Sequence, residues 1–406
     1  MARNKTDGRG NYVGDAVELD VAIGSLPFIS GAWYFVDPLI GSNSNDGLAP
    51  GAPLADIESA YDKCVSGQGD GIVVISRGTG TSSQTTSYLK APLTWAKHGI
   101  TVVGVAAPVS MFGRARVATQ DVTSAAMDDC AQAAHAITRE TGSFLADGWE
   151  VGMKGAIADS GSNNDATFTV TAVTALTITV SETLNVQAKA STISTTLLSY
   201  CTHAIEVSGS NNAFYNLHVY NGGASDLSVG GIKVSGNRNF FKNVSAIGAA
   251  GTAAAATANG YDLFVNGGQE NTFERCVFGT DTVLKGDAAT VVKFDSDAWR
   301  TRFYDCEFII ETATAGAGGI SIADATALSG YQLFKDCTFL LWNDNGVGAS
   351  TALVIGTKPN SGQLIFDKCA EYGWSAWGAS GMAGCVLVAA PAVAANGGGG
   401  IATTVA

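Results

Sequence analysis

Charge is scarce in this chain, and positive charge scarcer still: 15% of its 406 residues are charged, with 23 Lys and Arg against 36 Asp and Glu. The resulting net charge of −13 leaves no basic face to neutralise phosphates, which excludes nucleic acid as the expected partner. Histidine is rare, and His98, His135, His203 and His218 are scattered without metal-ligand spacing, so neither metal nor cofactor is expected. Long apolar runs are lacking too. The longest, around Cys385–Ala395, is too short to cross a bilayer, and the polar start Met1–Gly8 is followed by no apolar signal segment. The expectation is a protein without a membrane partner, made in a cytoplasm.

What the chain has instead is glycine, 50 residues of it, within a 46% apolar composition. That combination suits tight turns and stacked strands better than helices. A compact core stops growing near ~250–300 residues, a limit that repeat architectures escape because each unit packs only on its neighbours.

The repeat is visible. Phe214-Tyr-Asn-Leu217, Phe241-Lys-Asn-Val244, Phe273-Glu-Arg-Cys276, Phe303-Tyr-Asp-Cys306, Phe334-Lys-Asp-Cys337 and Phe366-Asp-Lys-Cys369 form one series. A second series interleaves with it: Ile205-Glu-Val207, Ile232-Lys-Val234, Leu263-Phe-Val265, Val292-Lys-Phe294, Ile320-Ser-Ile322, Leu353-Val-Ile355 and Val386-Leu-Val388. Two short alternating strands every ~30 residues, separated by Gly, Asn and Asp, describe the coils of an all-β solenoid. The core ladder is then Phe214, Phe241, Phe273, Phe303, Phe334 and Phe366 beside Cys276, Cys306, Cys337 and Cys369. The cysteines share a position with Leu217 and Val244, so they read as small core hydrophobes rather than metal ligands.

The N-terminal half differs. Residues 1–32 read as an extended arm, and 33–107 as a capping helix with the first coils. The helix is N-capped by Asp56, buries Ile57, Ala60, Tyr61 and Cys64, and is expected to end at Gly67. Strands are expected at Ile72–Ser76 and Ile100–Val105. Residues 108–200 lack the repeat and form an insertion: 121–138 read as an Ala-rich helix, and about 142–184 as a small β-module with a hairpin of Thr167–Thr174 and Ala175–Val180. Asn163–Asp165 supplies a turn there. Coils resume over 201–390, and 391–406, with Gly397–Gly400, form a tail.

At this point the sequence resembles a known family. The run Tyr34-Phe-Val-Asp37, Gly41-Ser-Asn-Ser-Asn-Asp46-Gly47, Pro50 and Pro53-Leu-Ala-Asp56-Ile57, followed by the helix, resembles the opening of pectin-lyase-like right-handed parallel β-helix proteins. The Phe-x-x-Cys coils resemble their body, and Gly142–Leu184 resembles a module of tailed-bacteriophage structural proteins. The resemblance implies a homotrimer on a virion, with the N-terminal arm gripping the major capsid protein or another virion protein. The expectation is a non-enzymatic virion structural protein, a head decoration. The alternative is a tailspike-type protein that binds or cleaves a host surface polysaccharide.

For catalysis, glycoside hydrolysis needs two carboxylates. The candidates are Asp305 and Asp336, one coil apart, with Glu307, Asp295 and Asp297 nearby; the column they share with Asn216, Asn243, Arg275 and Lys368 reads as a solvated face. Arg300 and Arg302 lack the run of acids that Ca²⁺-dependent lyase chemistry uses. The loop Ser42–Gly47 has no acid at the first Ca²⁺-ligand position and reads as an Asx-turn. Trp342 and Trp374, each five residues past a ladder cysteine, are expected to stack outward beside Trp377 as an interface or a glycan platform.

Overall fold

The computed structural model describes residues 29–389 apart from 78–85, 107–112, 160, 190–192, 252, 254, 256–259, 287–288, 314–315 and 343–351. The expected N-terminal arm, up to residue 28, and the tail from 391 lie outside the described residues.

Three parallel sheets wind into a right-handed β-helix. Sheet 1 has ten strands, from Trp33–Val36 to Val386–Ala389. Sheet 2 has eight, from Thr86–Leu89 to Ala370–Tyr372. Sheet 3 also has eight, from Leu93–Trp95 to Ala376–Gly378. The Phe series lies on sheet 1 in unbroken register, Phe214 to Phe241, Phe273, Phe303, Phe334 and Phe366. Its rings stack face to face at 4.6–5.0 Å between centroids, the strand spacing itself. Each ladder thiol donates to the Phe carbonyl of the rung before: Cys276 to Phe241, Cys306 to Phe273, Cys337 to Phe303 and Cys369 to Phe334, at 3.3–3.6 Å. Burial, followed by the neighbouring thiols Cys276 and Cys337, holds the Cys306 thiol well above its ordinary pKa.

Two turns repeat with the coil. Between sheets 1 and 2 the chain bends at one left-handed residue, Asn216, Asn243, Arg275, Asp305, Asp336 or Lys368, with φ of 52–54°. The N–H of Asp305 donates to Lys335 O and that of Asp336 to Asp367 O, tying each turn to the next rung. Between sheets 3 and 1 runs a buried amide ladder, two residues before each Phe. Asn212 N–H donates to Asn239 Oδ1 and Asn239 N–H to Asn271 Oδ1, while Asn239 Nδ2 donates back to Gly209 O. Thr301 and Gln332 continue it, with Thr301 N–H donating to Gln332 Oε1. Turn backbone that would otherwise be buried without partners is satisfied in this way.

Helix α1 (Ile57–Lys63) closes the first coil, its Asp56 cap accepting from Ser59 N–H at 2.8 Å. It ends at Lys63, not at Gly67. Cys64 N–H turns back onto Ala60 O and Tyr61 O, and the next N–H, of Val65, is taken by Asp70 Oδ2. The expected strands begin and end within a residue of prediction, at Gly71–Ser76 and Thr101–Ala106.

The insertion departs from expectation in three respects. Residues 121–138 are not helical. They form strands Thr123–Met127, Cys130–Ala133 and Ala136–Arg139, because Asp128–Asp129 and Ala134–His135 turn the chain and Asp129 Oδ2 accepts from Glu140 N–H, Thr141 N–H and Thr141 Oγ1. Alanine tolerates either conformation, and pairing decides. The module is also larger than 142–184. Its seven-stranded antiparallel sheet takes strands from Thr123–Met127 to Thr195–Ser199 around a separate core of Phe144, Trp149, Phe168 and Ile178. The solenoid itself continues past 108, since Ala115–Thr119 belongs to sheet 2. The module therefore occupies the turn from sheet 2 to sheet 3.

Candidate functional site

That turn delivers the chain directly onto sheet 3. The module's exit strand, Thr195–Ser199, is followed by strand His203–Val207. Buried Asn221 anchors the junction, its Nδ2 donating to Cys201 O and Gly230 O at 2.7 Å.

Along sheet 3 the aliphatic residues of each strand face inward and the residue between them faces out. The outward column runs Glu206, Lys233, Phe264, Lys293, Ser321 and Ile355. Beside it runs His203, Gly230, Tyr261, Thr290 and Gly318. Over four successive rungs these columns form one cluster. His203 Nε2 and the Tyr261 hydroxyl are hydrogen-bonded although a rung separates them. The intervening residue is Gly230, where a Cβ would lie 2.5 Å from Tyr261 Cε2 and 2.6 Å from His203 Cδ2. The two side chains meet across a gap that only glycine leaves.

Phe264 packs against both rings, 5.1 Å from Tyr261 and 6.4 Å from His203. Lys293 Nζ lies 5.1 Å from the Phe264 centroid and 5.8 Å from that of Tyr261. Lys233 Nζ is paired with Glu206 Oε1 at 2.7 Å. Among the described residues, Lys293 has no carboxylate within ion-pair distance. Burial, followed by the charge of Lys233, lowers the His203 pKa to about 4. Burial also raises that of Tyr261, with Glu206 adding to it. Both groups are therefore neutral over the ordinary pH range, with a proton on the phenol and a lone pair on the imidazole.

Behind Tyr261, Asp262 points into the turn. It accepts from Gly248 N–H at 2.8 Å, and Lys285 Nζ lies 3.8 Å away while bonding Gly248 O and Ala249 O. This fully buried pair fixes the backbone from which Tyr261 projects.

The residues singled out from sequence lie elsewhere. Asp305 and Asp336 are exposed at the sheet 1–sheet 2 turn, where Asp305 pairs loosely with Arg275 at 3.5 Å. Glu307 is exposed on sheet 2. Asp295 and Asp297 flank the sheet 3–sheet 1 turn, Asp295 accepting from Ser296 N–H. Arg300 pairs with Glu270 at 2.6 Å and lies over the Trp299 ring, and Arg302 donates to the Tyr331 hydroxyl. In the Ser42–Gly47 loop, Asn43 bridges Ala55 N–H and Asp56, and Asp46 accepts from Leu48 N–H. These side chains serve the loop's own turns.

The expectation for the tryptophans is corrected in part. Trp342 is outward and 57% exposed, but Trp374 and Trp377 are buried. Gly373, at φ 85°, reverses the chain after the last sheet 2 strand and folds both indoles over the open end of the core, Trp377 lying 5.1 Å from Phe366. They cap the helix instead of forming an outer platform.

Sequence reasoning missed the sheet 3 cluster. Its signal was the middle residue of each Ile-x-Val strand: Glu206, Lys233, Phe264 and Lys293.

No family model matches the chain, and no curated protein matches it. Several solved structures are similar in fold. One is a pectate lyase at 14% identity and TM-score 0.43, covering 83% of this chain and 62% of that one. Another is the pectin methylesterase of Aspergillus niger at 13% and 0.43, covering 91% and 92%. A third is a rhamnogalacturonan lyase at 10% and 0.34, covering 88% and 87%. The chain thus spans less than two thirds of the pectate lyase's length. The expectation of a non-enzymatic protein is not kept: the solved structures similar in fold are named as two lyases and an esterase. At such identity the likeness bears on the fold alone.

Proposed function

We propose that the chain is a polysaccharide-processing protein of the tailspike type, which holds an acidic surface glycan on the outer face of sheet 3 and cleaves it by β-elimination. The observation that carries this reading is the neutral, hydrogen-bonded His203–Tyr261 pair beside Lys293, a cation with no carboxylate partner among the described residues.

The alternative chemistry, hydrolysis, needs two carboxylates ~5–9.5 Å apart. On this face Glu206 and Asp295 stand three rungs apart, roughly 14 Å at the strand spacing, and Glu206 is already paired with Lys233. Elimination needs other groups, and these are present. Lys293 offsets the charge of a uronate carboxylate, which acidifies the neighbouring C5–H. His203 Nε2 takes that proton, the C5 electron pair forms a C4–C5 double bond, and the C4–O4 bond breaks. Tyr261 gives its proton to the departing O4 and recovers one from His203, so the net transfer is from C5 to O4. Phe264 supplies an apolar floor for a sugar ring.

On this reading three copies assemble side by side and the N-terminal segment attaches them to a virion. The test is incubation with a panel of acidic bacterial surface polysaccharides. An ultraviolet-absorbing unsaturated uronate should appear and be lost in His203→Asn and Tyr261→Phe. New reducing ends without that chromophore, or no glycan bound at all, would overturn the proposal.

A further inference from the structure

On the outer face of sheet 2, far around the coil from His203, one column runs Thr86, Arg116, His218 and Ser245 on successive rungs. Three neighbours in it each hold a buried polar atom without a hydrogen-bond partner among the described residues: Thr86 Oγ1, Arg116 Nε and His218 Nε2. Unpaired buried polar atoms are uncommon, and three side by side on adjacent rungs, ~4.8 Å apart, call for an explanation. Thr86 and His218 are 1% and 4% exposed, while Arg116 reaches solvent.

The charge closest to them is positive. Arg114, 6% exposed, stands beside the column with its Nε donating to Asn243 O and Oδ1 at 3.1 Å. Arg116 lies over the Tyr220 ring, 4.7 Å from its centroid, and the groups acting on its charge are the phenols Tyr220 and Tyr88. Among the described residues no carboxylate is within ion-pair distance of Arg116. Glu307 acts on Arg114 and Asp121 on Tyr220, both from a distance. Burial, then Arg116 and Arg114, push the His218 pKa down to about 3. Gln120, whose Oε1 is also unpaired, is four residues along the strand from Arg116, about 13 Å, beyond reach of a ligand held at Arg116.

We infer that this column is an oxyanion-binding site: Arg116 Nε–H, the Thr86 hydroxyl and His218 Nε2–H together hold a carboxylate, sulfate or phosphate group. His218 Nδ1 and the Ser245 hydroxyl are hydrogen-bonded at 2.5 Å, and on this inference the hydroxyl donates, which leaves the ring proton on Nε2 toward the anion. A bound anion supplies the counter-charge that the guanidinium lacks and fills the three unpaired positions at once. The site is independent of the sheet 3 cluster and of any reaction there.

The test uses the full chain with ¹³C-labelled histidine, titrated with sodium sulfate and with inorganic phosphate against chloride at matched ionic strength. Parallel arms use sulfated and uronate oligosaccharides. One of the four histidine signals, assigned to His218 by its loss in His218→Asn, should shift saturably. Arg116→Gln should weaken binding at least about tenfold, and Thr86→Val should weaken it less. Saturation by the free ions alone identifies a free anion as the ligand; saturation by the oligosaccharides alone identifies a glycan substituent. A wild-type His218 signal that responds to no probe, or that responds equally in Arg116→Gln, overturns the inference.

Discussion

Replacing Gly230 by alanine isolates the geometry on which the sheet 3 site depends. The backbone there is ordinary extended strand, so alanine imposes no conformational penalty. The whole effect comes from one methyl group. It would sit 2.5 Å from Tyr261 Cε2 and 2.6 Å from His203 Cδ2, both parts of rings held by Phe264 and therefore slow to yield. One ring must swing away. The hydrogen bond lost is worth about 1 kcal/mol, and the overpacking costs about 1–3 kcal/mol more. Stability should accordingly fall by about 2–4 kcal/mol in urea unfolding, with the slope unchanged. Glycan cleavage should fall further than stability implies, because His203 and Tyr261 no longer exchange a proton. In a histidine titration followed by NMR, the His203 midpoint should move up from about 4 toward the ordinary imidazole value as the ring reaches water. An alanine variant that keeps the low midpoint and full cleavage would refute the claim that Gly230 makes the pair possible.

Three further expectations follow from other parts of the molecule. His203 has a folded pKa of about 4 against ~6.5 unfolded, so its contribution to stability is full above pH 6.5 and is lost as pH falls toward 4. Between pH 7 and 5 this amounts to about 2 kcal/mol, measured as the narrowing stability gap between the wild type and His203→Asn; the comparison is needed because Glu58, raised to about 7 by burial, acts with the opposite sign over the same window. Asn239→Ala would strip partners from the buried Asn212 N–H and from Gly209 O, and should cost about 2–5 kcal/mol in chemical denaturation, far more than removal of an exposed amide. Trp374→Ala should cost about 3–5 kcal/mol and Trp342→Ala under about 0.5 kcal/mol in thermal melts, reversing any expectation that the two share an outward stack.

The coil repeat was legible in the amino-acid order because a solenoid stacks each inward side chain on its counterpart about thirty residues on. Phe214 to Phe366 and Cys276 to Cys369 therefore recur in sequence as they recur in space. The amide ladder was equally present, as Asn212, Asn239 and Asn271 two places before each Phe, but a turn residue attracts less notice than a core one. The Asp305 and Asp336 column was readable as a solvated face because residue types with no common chemistry share it; the structure adds that it is a turn, whose left-handed φ those residues have in common.

Sequence by itself thus determined the winding of the chain, its inward ladder and its capping helix, since each depends on spacing within or between coils. Tertiary structure alone decided the rest. The Ala-rich segment became strand because its partners lie up to 75 residues away, in Thr195–Ser199. Trp374 turned inward because Gly373 reverses the chain at the end of the last coil. The His203–Tyr261 pair exists because three rungs bring an imidazole, an absent side chain and a phenol into line. Spacing along one chain records which residues share a column, but contact across a missing side chain is a property of three dimensions.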